Sequence, residues 1–250
     1  MMVATNKQKW LYSIANLGNT IPYQAVGAVV LFYYTDVKRL PATWAAVVMT
    51  IYAIYNAFNN PVMGYISDRT RSRWGRRIPY IMFGTLPYAV TFALLFLAPF
   101  DGQGQPVALL IYFALFLFLW EGLGTAVSTA YYSLLPEMFR KYRERTDVAV
   151  RMNVVQTIGL LIGAAAPAAL ASALGWPLMG VLLAVIAAAA LYIGLPGMFE
   201  PKDAQEAAYF SLGPALKATF INRSFVAVGI AQTMRFFATN TLASGMIFYM

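Results

Sequence analysis

The sequence predicts an all-α membrane protein, a six-helix bundle followed by most of a seventh spanning helix. Three observations carry that prediction. Charged residues make up only 11% of the chain and apolar ones 60%, where soluble domains hold about 25% and about 45–50%. The missing charge is concentrated in long runs with no ionisable group, of the ~18 or more residues that cross a hydrocarbon core of about 30 Å as a helix. The cations sit in short clusters between those runs. A membrane β-barrel would need segments of about ten residues with alternating polarity, and that pattern is absent from the sequence.

The first span is expected over Trp10–Tyr34, since no charge falls between Lys9 and Asp36. It is longer than the ~7–15 residue apolar core of a signal peptide and no cleavage pattern follows, so it reads as a retained helix. A loop with Asp36, Lys38, Arg39 and Pro41 leads to the second span, Ala42–Ile66. A dense basic turn follows, with Asp68, Arg69, Arg71, Arg73, Arg76 and Arg77. The third span is expected over Ile78–Phe100, and the segment 101–106, rich in Gly and Gln and ending in Pro, reads as a turn. The fourth span, Val107–Leu135, contains one charge, Glu121.

A second basic turn carries Arg140, Lys141, Arg143 and Arg145, with Glu144 and Asp147. The fifth span is expected from Val148 to Ala173, with Arg151 in its first turns, and Gly175-Trp176-Pro177 makes the turn to a sixth over Leu178–Met198. Gly159, Gly163 and Ala164 to Ala166 give the fifth span a face of small residues, which lets helix backbones approach. A longer loop precedes a span that starts near Ser224 and is still running at Met250. The expected organisation is a six-helix bundle over 1–199, a cytoplasmic middle loop over 200–222, and the start of a second bundle over 223–250. A two-bundle design needs a remaining C-terminal half in the same protein, about 12 helices in all.

Orientation follows from the loops. Lys7 and Lys9 precede the first span, and the even-numbered loops hold nearly all other loop cations, whereas the odd-numbered loops contribute Lys38 and Arg39. Cytoplasmic loops are enriched in Lys and Arg, so the N-terminus and even loops are expected in the cytoplasm of a multi-pass inner-membrane protein. The same pattern explains the net charge of +8 without nucleic acid; the bilayer is the expected partner. The tryptophans Trp10, Trp44, Trp74 and Trp176 lie near predicted helix ends, where indole rings favour the interface.

The chain has no cysteine and no histidine, which excludes disulfides, thiolate metal sites and imidazole chemistry. No nucleophile–base pair, metal cluster or phosphate loop is legible, so an enzyme is not expected, and no cofactor is expected beyond a coupling H⁺ or Na⁺.

Ionisable and polar residues within spans mark pathways, relays or structural locks. Asn56, Asn59 and Asn60 share one face of the second span by their spacing of three and four. Glu121, Thr125 and Ser128 share a face of the fourth, extended by Tyr132. The first span offers Asn16, Asn19, Thr20 and Gln24, with Tyr23 beside them. Such residues also join helices by ordinary hydrogen bonds, but three converging stripes favour a central cavity. Trp120 sits mid-span beside Glu121, where its face suits the apolar side of a sugar ring; packing is the competing role. Tyr52 is a further cavity candidate. Glu121 reads either as a proton-coupling carboxylate or as the partner of Arg235, the mid-span cation of the seventh helix.

The stretch Asn59-Asn60-Pro61-Val62-Met63-Gly64, followed by Asp68-Arg69-Thr70-Arg71-Ser72-Arg73-Trp74-Gly75-Arg76-Arg77-Ile78-Pro79-Tyr80, is more ordered than a generic basic anchor. It resembles the major facilitator signature loop and, more narrowly, that of the glycoside–pentoside–hexuronide:cation symporter family. Tyr33 to Val37, Ser133 to Pro136, Arg143-Glu144-Arg145, Ala238-Thr239-Asn240 and Ile247-Phe248-Tyr249 are similar to that family's pattern in order and spacing. The resemblance implies a major facilitator fold and transport of sugars, glycosides or related solutes by alternating access. Gly64, Asp68, Arg69, Arg73, Gly75 and Arg76 of this signature loop are gating candidates, with anchoring at the headgroups as the competing reading. Arg145 of the next basic turn is read first as making headgroup contacts or loop salt bridges, with a share in gating as the alternative, and Arg235 is a gating candidate through a pairing with Glu121.

The resemblance also places Asn56 and Asn60 where the family carries cation-binding carboxylates. Asn59 and Thr125 match polar cation-site positions, and Thr20 and Ser128 match acidic positions tied to sugar binding. All four acidic positions are neutral here. Without negative charge to offset dehydration of a cation, coupling is expected to be re-sited at Glu121 as proton coupling, or absent. Lysolipid or amphiphile transport, and a membrane sensor or partner subunit that does not transport, are the alternative readings.

Overall fold

The computed structural model describes residues 5–201 and 221–246, with side chains described up to Arg235 in the last helix. The chain divides into two compact units, Met1–Ala207 and Ala208–Met250, and each is described by itself.

The first unit consists of helices and the loops that join them, with no strand among its described residues. Helix α1 (Asn6–Ile14) starts from a reciprocal cap: the Thr5 side chain accepts the Gln8 amide hydrogen while the Gln8 side chain accepts that of Thr5. Two of the orphan donors of a helix start are thereby satisfied. One residue later, at Ala15, α2 (Asn16–Phe32) begins, and it passes into a π-helical turn at Tyr33–Val37. The expected first span is therefore segmented at Ala15, while Pro22, which supplies no amide hydrogen to the helical ladder, is accommodated inside α2.

Helix α3 (Ala42–Arg69) runs three residues past its expected end, and α4 (Ile78–Leu95) stops five short of the expected Phe100. Side chains from outside explain that early stop. The hydroxyls of Tyr112, Tyr34 and Tyr33 donate to the carbonyls of Leu94, Leu95 and Phe96, and Lys38 donates to Ala98. The carbonyls a helix end leaves open are thus taken by neighbouring elements, and the chain can turn beneath the bundle.

Helix α5 covers Pro106–Met138 and α6 covers Tyr142–Leu174. Helix α6 opens six residues before the expected Val148, because the charged segment is itself helical: Arg151 bonds Asp147 across one turn, and Lys9 of α1 bonds Asp147 at 2.9 Å. Helix α7 (Trp176–Gly194) ends in a 3₁₀ turn at Leu195–Gly197, where Pro196 stops the α-helix.

Four of these helices are long and apolar enough to cross a membrane: α4, α5, α6, and α7 with its 3₁₀ turn. The other expected spans fall short by that measure among the described residues. The first is cut into pieces of 9 and 17 residues. The second carries its asparagines and a charged end, and the seventh, α8 (Arg223–Met246) in the second unit, is interrupted by polar residues.

Within the first unit α2 packs on α6 and α7, α5 on α3 and α4, and α4 on α7. The small residues of α6 make the first of these contacts close. A Cβ placed on Gly163 would meet Gln24 Cβ at 2.6 Å and the Ile21 carbonyl at 2.7 Å. The outer faces expose Val47, Ile51, Ile54, Phe83, Leu86, Ile111, Leu115 and Val185, as a surface solvated by lipid allows.

Candidate functional site

The core of the first unit is mainly apolar, and among its buried polar residues one cluster gathers side chains of α2, α3 and α5. Glu121 lies at its centre and is fully buried. Helix α2 supplies Tyr23, whose hydroxyl donates to Glu121 Oε1 at 2.9 Å. Helix α3 supplies Tyr52, which donates to Oε2 at 2.7 Å. One turn on in α5, Thr125 donates to Oε1 at 3.1 Å. Three hydroxyls from three helices thus hold one carboxylate, and no Lys or Arg pairs with it among the described residues. A buried charge without a counter-ion is costly unless hydrogen bonds satisfy it, and this cage meets that condition.

Hydroxyls do more than solvate. Each both donates and accepts, so the cage can serve an ionised carboxylate and, after reorientation, a protonated one. An arginine partner has only donors and stabilises the ionised form alone.

Around this centre the expected stripes separate. Asn59 is buried, and its amide donates to the Glu121 carbonyl at 3.4 Å. Asn60 is exposed and donates to Asn56, half-buried, at 3.3 Å. Thr20 is buried and bonds the Asn16 carbonyl, while Ser128 bonds the Thr125 carbonyl. Tyr132, 44% exposed, donates to Asn16 Oδ1 at 2.9 Å. Gln24 is half-buried beside Gly163.

Trp120 is enclosed by protein: its ring lies against Tyr23, Tyr88 and Phe92 at centroid distances of 5.0, 6.2 and 6.3 Å. Its faces are therefore already packed. Both polar atoms of the buried Asn19 side chain have no hydrogen-bond partner. Arg235 belongs to the second unit, where its Nε donates to Gln232 at 2.9 Å.

A second cluster is built on the basic loop. Asp68 accepts from Arg77 at 2.8 Å, and Glu137 at the end of α5 accepts from both Arg76 and Arg77, at 2.9 and 3.2 Å. Glu200 reaches the loop from beyond α7. Its carboxylate accepts the backbone amide hydrogens of Arg76 at 2.7 Å, Arg77 at 2.5 Å and Ile78 at 3.3 Å. An anion placed on the first amides of α4 satisfies orphan donors and complements the helix dipole. Gly75 makes the approach possible: φ is +110° there, and a Cβ would strike the Glu200 carboxylate.

Of the other loop residues, Arg69 stacks on Tyr65 and Arg73 on Trp74, with centroid distances of 4.1 and 3.9 Å. Gly64 faces Thr129 of α5. Arg145 donates to the Phe139 carbonyl at 3.2 Å.

Sequence reasoning missed Glu200 and Glu137. Glu137 follows the Ser133–Pro136 segment at a helix end, which was a readable signal. Glu200 sits at a loop start with no pattern around it, and only the fold brings it to the turn.

A family model described as MFS/sugar transport protein matches residues 11–250. An uncharacterized symporter of Synechocystis sp. is 36% identical over 141 residues, 55% of this chain and 26% of the relative. The isoprimeverose transporter of Lactiplantibacillus pentosus is 26% identical over 197 residues, 74% of this chain and 40% of the relative. The sodium-dependent lysophosphatidylcholine symporter 1 of Gallus gallus is 28% identical over 150 residues, 58% of this chain and 28% of the relative. The chain thus spans well under half the length of these relatives. Because the family match runs through nearly the whole sequence and agrees with the symporter resemblance carried by the basic loop, the chain belongs to the MFS/sugar transport protein family.

Proposed function

We propose that the chain forms the N-terminal part of a secondary transporter for sugars or glycosides, with Glu121 as the group that carries a coupling proton. The observation behind this reading is the hydroxyl cage, a fully buried carboxylate held by Tyr23, Tyr52 and Thr125. A proton carrier must be satisfied in both of its protonation states, and amphoteric partners provide that. Asn56, Asn59 and Asn60 bond to one another or to backbone and bring no negative charge, which argues against Na⁺ held at their position. The unpartnered polar atoms of the Asn19 side chain offer a place where a substrate hydroxyl or water would be bound.

In this reading residues 1–199 are the first bundle, 200–222 the cytoplasmic middle loop and 223–250 the start of the partner bundle. The N-terminus is cytoplasmic, the membrane is the inner membrane, and the cluster of Asp68, Arg76, Arg77, Glu137 and Glu200 stabilises the cytoplasmic face between transport steps.

The test is uptake of labelled isoprimeverose and related glycosides into proteoliposomes carrying the full-length protein, with a proton gradient, a Na⁺ gradient or neither. Accumulation driven by protons and lost in Glu121→Gln is expected. Accumulation driven by Na⁺ alone overturns the coupling assignment. Equilibration without any gradient means a facilitator. The relatives named for lysophosphatidylcholine support adding a lysolipid arm, and uptake in that arm alone would overturn the sugar assignment.

A further inference from the structure

Between α3, α4 and α5 lies a cavity of about 650 Å³ that opens to the outside of the bundle. Its walls are apolar, formed by residues such as Ile66, Phe83, Leu119 and Leu123. Phe83, Leu119 and Ile66 are 58%, 45% and 42% exposed, so the groove holds large side chains apart without filling the space between them. It follows α3 from Tyr55 to Thr70, about 22 Å at ~1.5 Å per residue. One leaflet's share of a ~30 Å hydrocarbon core is about 15 Å. The groove therefore runs from the headgroup level to the depth where acyl chains end.

The mouth of the groove is polar and basic. Thr70 and Tyr80 line it and share a hydrogen bond at 2.5 Å. Arg69 and Arg73 stand beside it, exposed, with no carboxylate partner among the described residues. Each guanidinium is stacked on an aromatic ring, Tyr65 or Trp74, and Trp74 in turn meets the groove residue Phe83 edge to face at 5.5 Å. Stacking orients a guanidinium but leaves its donors open, the arrangement suited to a phosphate. By contrast Arg76 and Arg77 next to them are committed to Glu137 and Asp68.

We propose that this groove is a binding site for an anionic phospholipid of the cytoplasmic leaflet. One acyl chain occupies the space between α3, α4 and α5, and the phosphate lies on Arg69 and Arg73, with Thr70 and Tyr80 at the glycerol level. Charge complementarity selects this occupant over a further protein helix, because basic residues at a membrane surface attract anionic headgroups and an apolar helix face would leave them unpaired. The site stands whatever solute the protein moves.

The experiment is native mass spectrometry of the full-length protein incubated with phosphatidylglycerol or with phosphatidylcholine of the same acyl chains. One phosphatidylglycerol is expected to be retained at least tenfold more than phosphatidylcholine. The double variant Arg69→Gln/Arg73→Gln removes the preference, whereas Lys141→Gln/Arg143→Gln on the other basic turn keeps it. Ala126→Phe, which fills the groove, lowers retention of both lipids. Equal retention of the two lipids, or a preference that survives Arg69→Gln/Arg73→Gln, overturns the headgroup assignment. Retention unchanged in Ala126→Phe overturns the groove. A photoreactive side chain at Leu119 that crosslinks only to protein in membranes shows that a protein segment fills the groove, and it overturns the proposal as a whole.

Discussion

Tyr12 and Tyr131 each donate a hydroxyl hydrogen to the other's backbone carbonyl, at 2.7 and 2.8 Å, with their rings stacked 4.6 Å apart. Both residues are fully buried, and the exchange fastens α1 to α5 close to the break at Ala15. A segmented first span needs such a fastener, because a single turn of broken helix cannot transmit position along its length. Tyr12→Phe and Tyr131→Phe should each lower stability by about 1 kcal/mol, the net contribution of a hydrogen bond. The double variant should lose less than the sum of a coupled pair whose members depend on one geometry. Thermal unfolding in detergent measures all three; losses that add fully would show two independent bonds.

Glu121→Gln keeps the size of the side chain and removes its proton chemistry. Proton-driven accumulation should disappear while exchange of labelled for unlabelled substrate persists, as measured in proteoliposomes. Tyr52→Phe removes one of the three hydroxyl donors to Glu121 and should weaken proton-driven accumulation in the same assay. Accumulation unchanged in both variants would remove Glu121 from the coupling step.

Glu200 caps the start of α4 across a gap of more than a hundred residues in sequence. Glu200→Ala strips the amides of Arg76, Arg77 and Ile78 of their acceptor. The expected cost is about 0.5–2 kcal/mol, the range for a lost N-terminal cap. Hydrogen exchange at the amides of residues 76–78 should rise in the same variant, and unaltered protection there would contradict the capping role.

Glu137 serves two arginines, so the sign of its removal is informative. Glu137→Gln leaves Arg76, which is nearly buried, without its anion. Breaking such a pair is more damaging than replacing both partners; loss of one partner costs about 3–5 kcal/mol when the pair is fully buried. Partial access to water at Glu137 reduces that figure here. Arg76→Met with Glu137→Leu should therefore unfold at a higher temperature than Glu137→Gln alone.

Gly163 sits where α6 meets α2. Gly163→Leu forces its side chain into Ile21 and Gln24 and should cost at least the ~1–3 kcal/mol of an overpacked contact, visible as lost yield of folded protein. Gly27 has open space around it, so Gly27→Ala should be neutral or slightly stabilising.

The composition and the placement of charge were enough to declare the class of the protein. Long runs without charge have one stable form in lipid, because every backbone group must be satisfied within the segment. The turns after the second and fourth spans, the proline-rich breaks and the small-residue face of α6 were legible for the same local reasons. The order of residues in the basic loop was enough to indicate the family. Helix ends were less legible where their carbonyls are bonded from far away. The stop of α4 at Leu95 depends on Tyr33, Tyr34 and Tyr112, and no local signal announces it. Tertiary structure alone decided which of the polar stripes meet. Spacing put Glu121, Thr125 and Ser128 on one face, but only packing brought Tyr23 and Tyr52 to the carboxylate and left Asn56 and Asn60 bonded to each other. It also enclosed Trp120 among rings and carried Glu200 to the loop at Gly75. Periodicity states which residues share a side of one helix; the azimuth and depth at which that helix meets its neighbours come from interlocking side chains, and these are set by all the helices together.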